Sequence, residues 1–472
     1  MTPWLAGRAR ETPRAPALET SAGTITFADL AARSDLVARR LAGRGVRPGD
    51  RVALLGEPTL RSIEIIHAVQ RLGAVLVPIG TRLAEPEVRR LLAFVRPRLV
   101  LHDPRRADLV PAASIEMHAA LDATALDPAA ILREDVPDDD VHSIVFTSGT
   151  TGMPKGAMLT HRGHRASAEA SAERLGTRAA DRWLLCLPLA HVGGLSIVLR
   201  SAITGFAIVL HDGFDAGAAD GALRERGVTT VSVVATMLGR LLEVAAGRPW
   251  PATLRCVLTG GGPLPASLLA RALALGVPVA PTYGLTEACS QVATAPPGSV
   301  GPDATVAGAP LPGVDVRITD PSTDGAGEIL VRGPIVMAGY VENPEASARA
   351  LRDGWLHTGD LGRLDEAGRL QVVGRRSDLI VSGGENVTPD EVEEVLRRHP
   401  AVADAAVYGV PDERWGERVL AVVVPAGPDF DEQVLRAWCR EHLASFKVPA
   451  AIRAVATLPR TASGKVQRHR LA

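Results

Sequence analysis

The chain has 472 residues, 46% of them hydrophobic and 22% charged, with a formal net charge of -1. That length can hold two or more domains with large cores, and the mixed, near-neutral charge excludes the electrostatic footprint of a nucleic-acid or anionic-membrane binder. A small-molecule ligand is the expected partner.

In chain order, "TITFADLAARSDLVARRL" reads as a strand and a helix. "RVALLG" then predicts a strand followed by a helix through "IEIIHAVQRLG", and "AVLVPI" with "EVRRLLAFV" and "TTVSVV" with "MLGRLLEVA" repeat the pattern. Such alternation predicts parallel sheets covered by helices. From about Val314 shorter strands separated by turns, "VDVRITD", "GEILVRG" and "RLQVVG", predict a smaller β-rich region. After "GRRSDLIVSGGENV", Pro389 and the acidic "DEVEEVL" mark a helix start, and "ADAAVYGV", "RVLAVVVP" and "AIRAV" supply strands around the helix "DEQVLRAWCREHL". The expected fold is α/β. A large N-terminal domain of parallel-rich sheets, flanking helices and a small β-rich subdomain occupies residues 1–376, and a small C-terminal α+β domain occupies residues 377–472. No stretch has the uninterrupted apolar length of a membrane span, and "MTPWLAGRARETPRAP" lacks the apolar segment of a secretory signal. Cys186, Cys256, Cys289 and Cys439 are scattered, with no CxxC pair, as expected of reduced thiols in a cytoplasmic protein. Homo-oligomerisation is left open.

One stretch carries chemistry on its face. In "IVFTSGTTGMPKGAMLTH" an apolar β-branched run feeds a loop of glycine, serine and threonine that ends in a lysine. Gly149, Gly152 and Gly156 let backbone amides converge on phosphate oxygens, Thr147, Ser148, Thr150 and Thr151 add hydroxyl donors, and Lys155 adds a mobile positive charge. The spacing excludes a P-loop, because Lys155 follows Pro154 and precedes Gly156. A polyphosphate such as ATP is the expected ligand.

"TSGTTGMPKG", "TYGLTE" at 282–287, "GWLHTGDLG" at 354–362, "GRRSDLIVSGGENVTPDEVE" at 374–393 and "PRTASGKVQR" at 459–468 together resemble the adenylate-forming acyl-CoA synthetase superfamily in order and spacing, over nearly the whole chain. The resemblance implies that ATP and a carboxylate give an acyl-adenylate and pyrophosphate, and that the thiol of coenzyme A then releases AMP. Tyr283 can stack on adenine, Thr286 can hydrogen-bond the α-phosphate, and Glu287 can hold Mg²⁺ with the phosphate oxygens. Asp360 is implied to accept the ribose hydroxyls and Arg375 to contact ribose or phosphate. Lys465 is implied to bridge the carboxylate and the α-phosphate, where negative charge builds during attack. The C-terminal domain is implied to be mobile, with Lys465 serving adenylation and Ser382, Gly383, Gly384 and Glu385 lining the path of coenzyme A after a rotation. The hinge departs from the family pattern: Ser377 stands two residues after the hinge arginine and is followed by Asp378, so either is a candidate pivot.

For the acid, "LPLAHVGGLSIVL", "GGGPLP" at 260–265 and "TYGLTEACSQVAT" are implied to wall the acyl pocket. Gly193, Gly194, Gly260, Gly261 and Gly262 are expected to leave room for a flat ring, and Gly284 is a further acyl-substrate candidate. Among these strings, "PLAHVGGLS", "GLTEACSQV" and "SGGENVTPDEVE" resemble most the o-succinylbenzoate-CoA ligases of menaquinone biosynthesis. Their substrate carries a second, unreacting carboxylate, for which Ser196, Thr259, Ser290 and Gln291 are candidate donors, with His191 as donor or gate. Two alternatives stay open, another aryl- or medium-chain acyl-CoA ligase and a stand-alone adenylation enzyme loading a carrier protein. A non-catalytic nucleotide binder is disfavoured by the presence of Lys465, Glu287 and Asp360.

Overall fold

The computed structural model describes the chain apart from residues 148–154, 263, 265, 302–305, 320, 322–324, 376–379, 388, 429, 460–465, 467, 469, 470 and 472. The described residues form three sheets. A seven-stranded sheet carries Val75–Pro78, Arg51–Leu55 and Leu99–His102 in parallel register at its centre, and the hairpin Val141–Thr147 and Lys155–Thr160 extends one side. A fourteen-stranded sheet has a parallel half, from Arg182–Leu185 through Thr230–Val233 and Cys256–Thr259 to Val279–Leu285. A third sheet of five strands belongs to the smaller C-terminal domain.

Local sequence explains the regular elements. Leu60–Leu72 starts at Thr59, whose hydroxyl accepts the Ser62 N–H, and ends at Gly73 in the left-handed region, φ 69°. Every residue from Ser62 to Leu72 is buried, so this helix lies inside the molecule rather than on its surface. Parallel strands buried on both faces read as unbroken apolar runs, as "RVALL" and "RWLL" do.

One boundary differs from expectation. The antiparallel strands begin before Val314, at Ser290–Thr294 and Val306–Pro310, and they continue the parallel sheet without a break. The β-rich part is therefore an extension of the large sheet, built by hydrogen-bond continuity that short-range pattern does not report. In the C-terminal domain Gly416–Pro425 pairs Val402–Asp412 on one side and Ala451–Ala454 on the other, over a core of Val392, Leu396, Val407, Val423 and Cys439.

Candidate active site

The nucleotide-side residues converge. The strand Val141–Thr147 and its antiparallel partner Lys155–Thr160 meet with Thr147 opposite Lys155, so the glycine-rich segment is the connection of a hairpin. Lys155 lies with its ammonium 5.3 Å from the centre of the Tyr340 ring, and the Tyr340 hydroxyl donates to Glu287 Oε1 at 2.8 Å. Glu287 stands in the short turn Thr286–Ala288, and its carbonyl accepts the Met337 N–H. Tyr283 ends the parallel run, and its hydroxyl donates to the buried carboxylate of Asp360 at 2.7 Å. Asp360 pairs with Arg375 across two antiparallel strands, which sets the Arg375 backbone beside it. Chain segments far apart in sequence thus form two groups, the hydrogen-bonded pair Tyr283–Asp360 and the pair Tyr340–Glu287 with Lys155 over the Tyr340 ring. Ser148, Gly149, Thr150, Thr151, Gly152, Ser377, Asp378, Lys465 and the Arg375 side chain lie outside the described residues.

On the acyl side, several expected glycines serve the chain's own packing. A Cβ on Gly194 would stand 2.2 Å from the Pro188 carbonyl oxygen, one on Gly284 1.8 Å from that of Ser290, and one on Gly260 2.7 Å from the Thr282 methyl. The missing side chains of Gly194 and Gly284 let backbone approach backbone and that of Gly260 lets the Thr282 methyl approach, which corrects the expectation that Gly194 and Gly260 make room for a ring and that Gly284 faces the acid. Gly193 only touches Leu187, and Gly261 and Gly262 face Val234 and Val381. Ser196 is likewise occupied, donating to the Gly193 carbonyl at 3.2 Å.

Three other buried groups differ. Among the described residues the Thr259 hydroxyl, both amide atoms of Gln291 and the Nε of Arg200 are buried without a hydrogen-bond partner. Arg200 lies on the helix Val192–Thr204, one turn beyond Ser196, and is 3% exposed. Its guanidinium lies 3.5 Å from the Ser167 hydroxyl, which donates to the Cys289 carbonyl, and it meets no carboxylate among the described residues. Burial depresses its pKa to about 10, the cost of an arginine charge without a counterion. Cys289 and Ser290 both adopt positive φ, 50° and 105°, a strained pair where the turn Thr286–Ala288 meets the strand Ser290–Thr294.

The C-terminal domain reaches this region through the hairpin Ile380–Ser382 and Glu385–Val387. Gly383 and Gly384, φ 61° and 80°, make the tight turn. A Cβ on Gly384 would meet Val234 at 2.8 Å, and one on Gly383 would meet the Trp415 ring at 2.8 Å. Glu385 accepts from Arg82 at 3.0 Å and faces His191 Nε2 at 3.0 Å. Placement between the domains works against the imidazolium, but the hydrogen bond and charge of Glu385 prevail and raise the His191 pKa. The ring is still 52% exposed, so the Glu385 contact and not burial governs it.

Sequence reasoning missed Tyr340, Arg200 and Arg82. Tyr340 had one signal, rarity, as one of three tyrosines in the chain. The two arginines had none among 52 lysines and arginines.

These paired side chains, bordered by the hairpin of the C-terminal domain, define the candidate site of a nucleotide-dependent enzyme. The chain belongs to the AMP-binding enzyme family: that family's model matches residues 5–341 and the model of its C-terminal domain matches residues 391–465. It is 41% identical over 480 residues to the 2-succinylbenzoate–CoA ligase of Bacillus mycoides, covering 100% of this chain and 98% of the relative. The fold is similar, at TM-score 0.94 and 38% identity, to a double mutant of o-succinylbenzoate CoA synthetase from Bacillus subtilis bound with its product analogue, covering 100% of this chain and 98% of that one. The same Bacillus subtilis enzyme in complex with its acyl-adenylate intermediate aligns with equal coverage and identity but a TM-score of 0.76. The whole chain thus superposes more fully on the product-analogue complex than on the acyl-adenylate complex.

Proposed function

We propose that this chain is an ATP-dependent carboxylate–CoA ligase that converts 2-succinylbenzoate, ATP and coenzyme A into 2-succinylbenzoyl-CoA, AMP and pyrophosphate in menaquinone biosynthesis. The observation that carries the choice of acid is Arg200, a buried guanidinium with no carboxylate partner among the described residues, on the helix that leaves the acyl-pocket segment. A charge so placed is costly until an anion joins it, and the unreacting carboxylate of the succinyl arm supplies one. The unpartnered Gln291 and Thr259 add neutral donors to the same region.

In this reading the hairpin loop and Lys155 hold the β- and γ-phosphates, Tyr283 and Asp360 hold adenine and ribose, and Thr286 holds the α-phosphate. Glu287, held by Tyr340, offers a single carboxylate, a hard oxygen ligand that would suit Mg²⁺ together with phosphate oxygens. The ion would neutralise charge on the leaving pyrophosphate. A carboxylate oxygen of the acid attacks the α-phosphorus and pyrophosphate departs, with Lys465 stabilising the charge that builds. The thiol of coenzyme A then attacks the acyl carbonyl, the acyl–oxygen bond breaks, and AMP leaves. The hairpin at Gly383 and Gly384 borders the thiol's path, and residues 377–472 move as the mobile domain about Ser377 or Asp378. The buried, unbridged cysteines support a cytoplasmic setting.

The test is a panel of acids with ATP and coenzyme A, read by mass spectrometry for the thioester. 2-Succinylbenzoate should exceed benzoate, octanoate and acetate in kcat/KM. Equal use of benzoate or octanoate would remove the second-carboxylate reading and leave a general acyl-CoA ligase.

A further inference from the structure

The N-terminal and C-terminal domains share a second set of contacts away from the hairpin. The helix Glu85–Val95 presents Glu87, 3% exposed, at its third position. One carboxylate oxygen accepts the Ala84 N–H at 2.8 Å, as a helix-capping glutamate does, and also the Ala444 N–H of the C-terminal domain at 2.8 Å. The other accepts from Lys447 Nζ at 2.7 Å. Lys447 also donates to Glu391 at 3.0 Å, and Arg90 reaches Glu391 from the N-terminal side at 3.4 Å. Two carboxylates and two cations therefore alternate in one chain across the domain boundary, and Glu87, Glu391 and Lys447 are buried.

The location gives this chain of charges a purpose. Glu391 stands in the first turn of the helix Pro389–Arg397, which directly follows the hairpin carrying Gly383, Gly384 and Glu385. The ring of Phe446, next to Lys447, lies 5.1 Å from the guanidinium of Arg82, which itself binds Glu385. Fastening Glu391 and Lys447 to Glu87 thus fixes the root of the hairpin whose tip abuts Val234 and His191. Burial works against the Lys447 ammonium, but Glu391 and Glu87 together raise its pKa, while burial raises that of the Glu391 carboxyl. Such a buried set is stabilising only while all members are present, because loss of one leaves its partner's charge uncompensated in the interior.

We propose that Glu87 and Lys447, with Glu391 and Arg90, form a clasp that holds the C-terminal domain in the thiol-transfer arrangement, making them positioning residues for the second half-reaction alone. The proposal rests on the ligase reading above. A domain that swings away for adenylation must open the clasp, so the first half-reaction does not depend on it.

The full-length protein tests this by measuring the half-reactions separately, pyrophosphate release from ATP and 2-succinylbenzoate, and single-turnover thioester formation from pre-made adenylate and coenzyme A. Glu87→Gln keeps the helix cap but turns a neutral amide toward Lys447, and Lys447→Met removes the ammonium. Each should slow thioester formation at least ~10-fold and leave adenylation within about twofold or faster. The double variant should be no slower than the slower single variant, and Lys447→Arg should recover most of the rate. Arg90→Gln, at the partly exposed end, should show a smaller loss in the same step and serves if a buried variant fails to fold. A wild-type protein that forms no thioester overturns the ligase reading. An active wild type whose Lys447→Met and Arg90→Gln variants transfer normally, or lose both steps equally, overturns the clasp alone.

Discussion

The proposed nucleotide side and the proposed acyl side of the site solve opposite problems. Tyr283 with Asp360, and Glu287 with Tyr340 beside Lys155, are already hydrogen-bonded or stacked within the protein. On the acyl side Arg200, Gln291 and Thr259 are buried with polar atoms that no described group satisfies. A prepaired surface holds its geometry for a ligand common to a whole family. A buried unsatisfied one is costly without its ligand, and in the proposed reading it should discriminate strongly among acids, since each unmatched polar group costs roughly 1–3 kcal/mol.

The largest effect should come from the lysine proposed to serve adenylation. Lys465→Ala should lower adenylate formation on the order of 10³-fold while thioester formation from pre-made adenylate continues. Equal loss of both steps would show that the lysine does not serve adenylation alone. Gly384→Trp should do the reverse, because Val234 leaves no room there. Adenylate should accumulate, with thiol transfer down on the order of 100-fold. Normal coenzyme A turnover in that variant would remove the hairpin from the thiol's path.

Two milder variants test the contrast itself. Arg200→Met should reduce kcat/KM for 2-succinylbenzoate roughly 10- to 100-fold, with KM for ATP unchanged and little loss toward benzoate. Equal losses for both acids would mean that Arg200 is only structural. Tyr283→Phe should raise KM for ATP about 3- to 10-fold and leave discrimination among acids intact. A change in acid preference would erase the division between the sides.

The smallest effect on activity at neutral pH, but a clear one on stability, concerns the histidines behind the hairpin loop. The rings of His142, His161 and His164 cluster around Trp4. Burial lowers His67 to about 4 and His164 to about 3, and it holds His142 well below the usual range. The unfolded chain therefore binds protons first, so stability is full above pH ~6.5 and declines as pH falls toward 4. Thermal melts at pH 7.5 and 5 should show a lower Tm in acid, and an unchanged Tm would contradict neutral burial.

Much of the plan was readable in the sequence because it is written in contiguous strings. The strand–helix alternation, the glycine-rich loop ends, and Tyr283, Glu287 and Asp360 each sit in a short segment whose residue types limit what the backbone can do. The paired glycines Gly383 and Gly384 stand in one short string, and both adopt the positive φ that glycine takes at least cost. What the tertiary structure alone decided depends on long-range neighbours. Glycine composition could not say whether Gly194 and Gly284 spare room for a ligand or for backbone, and backbone proved to be the answer. Arg200 has no distinguishing context along the chain, because its meaning lies in burial without a counterion. Glu87 and Lys447, 360 residues apart, acquire theirs only where the two domains meet. Local sequence constrains backbone conformation, whereas the energy of a buried charge is set by whatever the fold brings within a few ångströms of it.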